Sequence, residues 1–539
     1  MMHKTFFVAC FLTLCVGVQA QFTLKTSLSA NDKRADAFLG SAVSVSGNLA
    51  VAGANGDNSW RGAVYVYEKT GGSWGFKQKL LSTDIATDDY LGASVVTNGT
   101  YIVAGAYGKN GNTGAVYVFG LSGGNWVQLQ KLTPATAGEG FGFSLALDGS
   151  RLIVGAIYNN SARGAAYVYN LTGGTWVQQQ KIVPADVAAD DLFGSSIATN
   201  GTQIVVSSVG DDARRGSAYV YSFSGGSWIQ QQKLLAGDGV ADDNFGQSVA
   251  MSGNTMIVGA YGDDSYRGSA YVFTTTGTTW TQQQKITATN RIQNEGLGYS
   301  MSISGNNLAI SGAGGDINGV TSPGAAYIFS TTGSAYTQQQ RFSGAVNEWF
   351  GNSVALSGGN LLVGVSLGSV GGTPSSGSIQ VYESAQAMPV LWGTVNAATH
   401  NRQLAVSWTT LSETNNDHFE IEASINGKDF TKIANIESKA SNGNSSTTIN
   451  YTITQDINGI AAIAGWGVLS CLALAIPIRN KKVKGLLLLI MCSAILYSCS
   501  KTSNEQLGAS ETKVYIRIAQ VDKDGTITYS KTVLVNRQQ

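Results

Sequence analysis

Paired carboxylates recur along the chain. Asp88-Asp89, Asp190-Asp191 and Asp242-Asp243 each stand just ahead of an aromatic- or Leu-Gly step, and Asp211-Asp212 and Asp263-Asp264 lie in a later loop. Such pairs can hold a hard cation or serve as the acid and base of a glycoside hydrolase. Neighbouring residues of an extended segment point to opposite sides, however, so an extended Asp190-Asp191 cannot turn both carboxylates to one substrate. An arginine also recurs nearby, at Arg61, Arg163, Arg215 and Arg267. Turn capping and ion pairing therefore compete with catalysis, and repetition favours them, because scaffold repeats while an active site occurs once. Residues 16–399 contain neither Cys nor His. That excludes Cys/His and Ser/His nucleophile systems and His- or Cys-bound transition metals from most of the chain. No catalytic residue, no metal site and no cofactor is expected.

The elements that must position these residues are repeats. Gly40, Gly92, Gly142, Gly194, Gly246, Gly298 and Gly351 follow an aromatic residue or Leu at intervals of 52, 50, 52, 52, 52 and 53 residues. The fifth copy shows four pieces: Phe245-Gly246-Gln247-Ser248-Val249-Ala250, Thr255-Met256-Ile257-Val258-Gly259-Ala260, Gly268-Ser269-Ala270-Tyr271-Val272-Phe273, and Trp280 to Ile286. Asn98-Gly99, Asp148-Gly149 and Asn200-Gly201 separate the first two pieces, as tight hairpin turns require. Four short strands repeated seven times predict a seven-bladed β-propeller over residues 21–384. The small Gly53-Ala54, Gly105-Ala106, Gly155-Ala156 and Gly259-Ala260 pairs suit close approach of backbones between blades. The Gln178-Gln179-Gln180 run and its copies read as polar outer-strand residues. Only six outer strands follow their blades; Phe22 to Leu28 has the offset of the missing one, so the first strand of the chain is expected to complete the last blade beside Ser378 to Tyr382.

Phe-Gly-x-Ser-Val, Val-Gly-Ala and Gly-Ala-x-Tyr-Val in most copies resemble the FG-GAP repeats of integrin α-chain propellers and their bacterial relatives. The resemblance implies the same propeller fold. That family often carries an Asp-x-Asp-x-Asp-Gly calcium loop between the first two strands. Here the loop is only Ser46-Gly47-Asn48 or Ser252-Gly253-Asn254, without the carboxylates that Ca²⁺ needs.

The period stops after Glu383. The segment from Trp408 through Glu413, Asn416, Phe419 and Glu422, with Gly427 to Phe430, resembles the fibronectin-type-III-like module of type IX secretion substrates of the Bacteroidota. Tyr515 to Gly525 with Tyr529 to Lys531 resembles its last hairpin. The resemblance implies a small β-sandwich over 390–456 plus 513–537, interrupted by a hydrophobic helical hairpin. Residues 460–478 and 485–500 are uncharged runs flanking the basic Arg479 to Lys484, and they read as an inserted transmembrane hairpin over 457–500, followed by a polar linker over 501–512. A soluble apolar hairpin competes with that reading. So does a lipoprotein-like signal, in which Leu496-Tyr497-Ser498-Cys499 makes Cys499 a lipidation site. Residues 1–20, with Lys4, an apolar run and Val18-Gln19-Ala20, read as a signal peptide.

Lys plus Arg and Asp plus Glu are both 34, so no basic field recruits nucleic acid. The expectation is an exported, membrane-anchored protein of the cell envelope, without enzymatic activity, whose propeller presents a surface to an unknown protein or glycan ligand. A carboxylate-based polysaccharide hydrolase and a purely structural spacer are the alternatives. The candidate contact residues lie in the loops before the third strands: Asn58, Ser59 and Trp60; Tyr158, Asn159 and Asn160; Asp263, Asp264, Ser265 and Tyr266.

Overall fold

The computed structural model describes residues 21–537, apart from 385–390, 457–512 and short stretches at 276, 278, 318–319, 332–334, 401–402, 414–415, 441–444, 446–447 and 523–526. Two compact units divide at residue 386.

The first unit holds seven four-stranded antiparallel sheets, one per repeat. Blade 1 consists of Leu39–Ser46, Leu49–Ala54, Ala63–Thr70 and Ser73–Leu80, and the following blades repeat the order. The first strands of successive blades lie against one another in a closed ring, with Leu39–Ser46 meeting Phe350–Ser357. Second strands are continuous apolar runs because both faces are covered; all six residues of Leu49–Ala54 are buried. Glycine is needed where they touch the next blade. A Cβ on Gly53 would stand 1.8 Å from the carbonyl oxygen of Gly92, and one on Gly105 would stand 2.0 Å from that of Gly142. The same contact closes the ring, from Gly364 to Gly40.

Phe22–Leu28 pairs antiparallel with Ser378–Ser384, so the beginning of the chain completes blade 7, as the strand count requires. A bulge interrupts each pairing of third and outer strand, for example between Val272 and Phe273. One glutamine per outer strand reaches the next blade. The Gln232 side chain donates to the carbonyl of Trp280 (2.9 Å) and accepts from its N–H (2.8 Å). Gln78, Gln130, Gln180 and Gln284 bind Trp126, Trp176, Trp228 and Tyr336 in the same two-point manner. Gln340 does so with Phe22, at 2.6 and 2.9 Å. These glutamines are thus interblade clamps rather than merely polar surface. Thr26 holds the corresponding place in blade 7. There Glu383 instead accepts from the Trp74 indole (3.0 Å) and pairs with Lys69 (2.7 Å).

The second unit is a β-sandwich. One sheet contains Ile449–Asp456, Gln403–Ser412, Leu391–His400 and Asn536–Arg537; the other contains Thr431–Glu437, Asn416–Ser424, Tyr515–Asp522 and Ile527–Tyr529. Trp408, Val406, Phe419, Ile421, Ile516 and Ile518 fill the space between them. The buried Glu413 accepts hydrogen bonds from Thr410, Asn416, Ser438 and Tyr451. Tyr515–Asp522 pairs along Asn416–Ser424, which joins the sequence on both sides of 457–512 in one sheet. The signal peptide at 1–20, the transmembrane hairpin at 457–500, the linker at 501–512 and Cys499 lie outside the described residues. Among the described residues no helix is long and apolar enough to cross a membrane.

Candidate functional site

Loops before the third strands and the connections into the next blade emerge at the same end of the ring, and the recurring ionisable groups gather there. In blade 5 the Tyr271 hydroxyl donates to Asp238 (2.9 Å), and Lys285 bridges Asp238 (2.7 Å) and Asp263 (2.9 Å) while lying over the Tyr271 ring. Blade 1 repeats this with Tyr65, Asp32, Lys79 and Asp57, and blade 4 with Tyr219, Asp186, Lys233 and Asp211. Tyr117, Asp84 and Lys131 stand at the same place in blade 2, as do Tyr167, Glu139 and Lys181 in blade 3 and Tyr327, Glu295 and Arg341 in blade 6. Burial pushes Asp32 up, but Lys79, Tyr65 and Arg34 outweigh it and hold the carboxyl at about 2. The Lys285 ammonium is the main influence on Asp238 and lowers it. These carboxylates are ionised, paired partners of a cation, so they are poor general acids.

The acidic pairs divide their work. Asp89, Asp191 and Asp243 accept from the N–H of Ala86, Ala188 and Val240 at 2.6 to 2.7 Å, which is turn capping. Burial raises Asp191 and Asp243. Asp212 and Asp264 pair with Arg215 and Arg267 at the surface, as their recurrence suggests. Asp211 and Asp263 do not; they turn inward to Lys233 and Lys285.

The loops that carry the candidate contact residues have an unusual backbone. Asn58, Ser59 and Trp60 have φ of 53°, 60° and 62°, and Asn160 to Ala162, Asp212 to Arg214 and Asp264 to Tyr266 repeat this left-handed turn. Each such turn holds the next blade. The carbonyls of Trp60 and Arg61 accept from Tyr90 and Leu91, and those of Tyr266 and Arg267 accept from Gly296 and Leu297. Asn58, Ser59, Trp60, Tyr158, Asn160, Asp264 and Ser265 are exposed and Tyr266 is half-buried, so these remain free for contact. Asn159 and Asp263 are buried, and Asp263 is held by Lys285 and Ser269, which removes both from the contact surface.

Sequence reasoning overlooked a run of aromatic rings at this end. Phe38 stacks on Trp60 with centroids 5.2 Å apart, Trp60 meets Tyr90 at 5.6 Å, Tyr90 stacks on Tyr107 at 5.1 Å, and Tyr107 meets Phe143 at 5.6 Å. Tyr158 lies over Gly140. Of these six, Trp60 and Tyr158 are 39% exposed. The available signal was irregularity: two residues before the repeat glycine stand Phe38, Tyr90, Gly140, Leu192, Asn244, Gly296 and Trp349. A separate cavity of about 290 Å³ opens along the axis, lined by Val96, Leu145, Ile197, Met251, Met301 and Ile303 among others, none of its lining residues ionisable.

Among solved structures, the chain is similar to Sqt1 from Chaetomium thermophilum (TM-score 0.41, 14% identity, 72% of this chain and 97% of that one). It is also similar to the β-propeller domain of the Trilobed protease from Pyrococcus furiosus (0.36, 9%, 68% and 95%) and to the GH74 xyloglucanase from Xanthomonas campestris (0.40, 13%, 72% and 59%). No curated protein sequence matches significantly. The FG-GAP repeat profile matches residues 22–67, 74–119, 126–169, 176–221, 228–273 and 280–329. Those six segments cover about half of the chain and each runs from the outer strand of one blade through three strands of the next, so the chain belongs to the FG-GAP repeat family.

Proposed function

We propose that this is an exported, non-enzymatic protein of the cell envelope whose propeller presents a binding or adhesion surface. The observation that carries the reading is the sixfold carboxylate–tyrosine–cation cluster. It ties up the recurring acid and base groups in holding blades, while the residues that differ from blade to blade sit at the loop end of the ring. Constant residues of a repeat serve the scaffold, and variable ones on a rigid frame are available for recognition. In this reading the sandwich is a fibronectin-type-III-like module of the kind found in Bacteroidota, residues 1–20 direct export, and 460–478 and 485–500 hold the protein at a membrane. The antiparallel pairing of Asn416–Ser424 with Tyr515–Asp522 supports the topology, because both flanks of the insertion must then lie on one side.

Fractionation of cells producing the chain, combined with protease treatment of intact cells, tests this. The reading expects membrane-associated protein whose propeller and final β-hairpin are both cut from outside. Release into the cytosolic fraction, or opposite accessibility of the two flanks, overturns it. Attachment of intact cells to polysaccharide- and protein-coated surfaces tests recognition, which the reading expects to fall when the propeller is deleted.

A further inference from the structure

We infer that the aromatic run across blades 1 to 3 is a binding platform for an extended, neutral, β-linked polysaccharide chain. The inference rests on the binding-surface reading above and gives it a site and a ligand class. Phe38, Trp60, Tyr90, Tyr107 and Phe143 follow one another in ring-to-ring steps of 5.1 to 5.6 Å, and Tyr158 stands beside Tyr107.

The fold does not require these rings. Position for position, blade 4 carries Leu192 where blades 1 and 2 carry Phe38 and Tyr90, Arg214 where blade 1 carries Trp60, and Ser195 where blade 3 carries Phe143. Backbone conformation argues the same way. Phe38, Trp60 and Tyr90 have φ of 54°, 62° and 59°, a region that bulky side chains occupy only under strain and glycine occupies freely. Blades 3 and 6 do place glycine at the position of Phe38 and Tyr90, as Gly140 and Gly296 with φ of 63° and 67°. In blade 3 the ring is then supplied from the other loop. Gly56 and Gly108 lie under Phe38 and Tyr90, whereas Gly140 lies under Tyr158. An aromatic ring therefore covers the same place in three successive blades although it comes from two different backbone positions. Rings kept at a conformational cost, and on one side of a symmetric wheel, are explained by what they contact outside.

Ligand class follows from what the surface offers. Asp57 and Asp89 beneath the rings are neutralised by Lys79 and Lys109, at 2.6 and 2.8 Å, so aromatic faces rather than free charges dominate. A peptide adding itself as a strand needs unpaired backbone groups, but the carbonyls of Trp60, Arg61, Asn112 and Thr113 are already used by the next blade. Pyranose rings present C–H faces that lie flat on aromatic rings and hydroxyl edges that stay in water, and a row of half-exposed rings matches a chain of them.

The test is affinity electrophoresis of the purified full chain in gels containing hydroxyethyl cellulose or galactomannan, with alginate as the anionic comparison. We expect retardation in at least one neutral gel and none beyond it in alginate. Trp60→Ala and Tyr107→Ala should each weaken binding by about tenfold, and Trp60→Phe should retain most of it. Phe223→Ala, which removes an exposed ring from an outer strand, should change nothing. Melting curves identify any variant that has merely lost its fold, and the conservative Trp60→Phe keeps the test decisive if Trp60→Ala does. Absence of retardation in both neutral gels, equal retardation of the Trp60 and Tyr107 variants, or retardation by alginate alone overturns the inference. Cell attachment that persists under those outcomes leaves the binding-surface reading standing without this site; loss of attachment irrespective of the propeller sinks that reading separately.

Discussion

Gln340→Ala is expected to loosen the closure of the ring. The Gln340 side chain is the partner of both the N–H and the C=O of Phe22, a residue only 2% exposed, and alanine replaces neither bond. A buried backbone group left without a partner costs roughly 1–3 kcal/mol, so the pair should cost about 3 kcal/mol. With an unfolding entropy near 2.1 cal/mol/K per residue over a unit of about 360 residues, that corresponds to a fall of about 4 °C in Tm. The loss should also be local. Phe22–Leu28 is held in blade 7 by Ser378–Ser384 and connected covalently to blade 1, so it can detach while the other blades persist. Hydrogen exchange of the Phe22–Leu28 amides should accelerate by about a hundredfold, the equivalent of ~3 kcal/mol. Gln232→Ala removes the chemically equal clamp on Trp280 and should lower Tm similarly without exposing those amides. Unchanged protection of Phe22–Leu28 together with an unchanged Tm would refute the clamp as a closure element.

Two further outcomes follow from the same geometry. Thr26→Gln places a glutamine where every other outer strand has its clamp, and should bind the N–H and C=O of the buried Trp74; a gain of about 1 kcal/mol is expected from calorimetry, and a lower Tm contradicts it. The acid response should have two limbs. Asp32, Asp186 and Asp238 have lowered folded pKa values, so their contribution is complete above the unfolded value of about 4 and disappears as pH falls towards about 2. Asp191 and Asp243 are raised by burial, so protonation favours the fold and stability rises as pH drops through their folded values towards about 4. Tm measured from pH 8 to 2 should pass through a mildly acidic maximum and then fall steeply; a monotonic decline from pH 7, or a flat curve below pH 4, excludes this assignment.

The wheel was legible because its evidence is periodic. Glycines that repeat at a fixed interval mark contacts that every blade must make, and counting outer strands was enough to send Phe22–Leu28 to blade 7. The clamps were not legible, since the third glutamine of Gln178-Gln179-Gln180 differs from its neighbours only through a bulge that turns it towards the next blade. The carboxylate–tyrosine–cation clusters were hidden for another reason. Asp238, Asp263, Tyr271 and Lys285 come from four segments, and only the folded blade brings a connection, two strands and a loop to one point. Asp263 and Asp264 are adjacent in sequence yet have opposite fates, one paired inside with Lys285 and the other at the surface with Arg267. The left-handed turn between them, with φ turning positive at Asp264, is what separates the two.

That turn also explains why recognition and scaffold are so closely interleaved in this molecule. Its backbone carbonyls bind the next blade, so the path of the chain cannot vary without disturbing the ring, whereas the side chains on it point outward and differ in every copy. Variation is therefore confined to side chains on an invariant frame, the condition under which exchanging one residue alters a surface without moving it. A glycine at Trp60 would relieve left-handed strain of about 1 kcal/mol, so by stability alone the residue should drift towards glycine, as Gly111 already stands within the corresponding turn of blade 2. The exposed indole therefore works against the fold's own preference, while Asp57 beside it, buried and paired with Lys79, works with it. One four-residue turn thus carries a scaffold residue at its first position and a recognition residue at its last, and only the second is free to differ between blades.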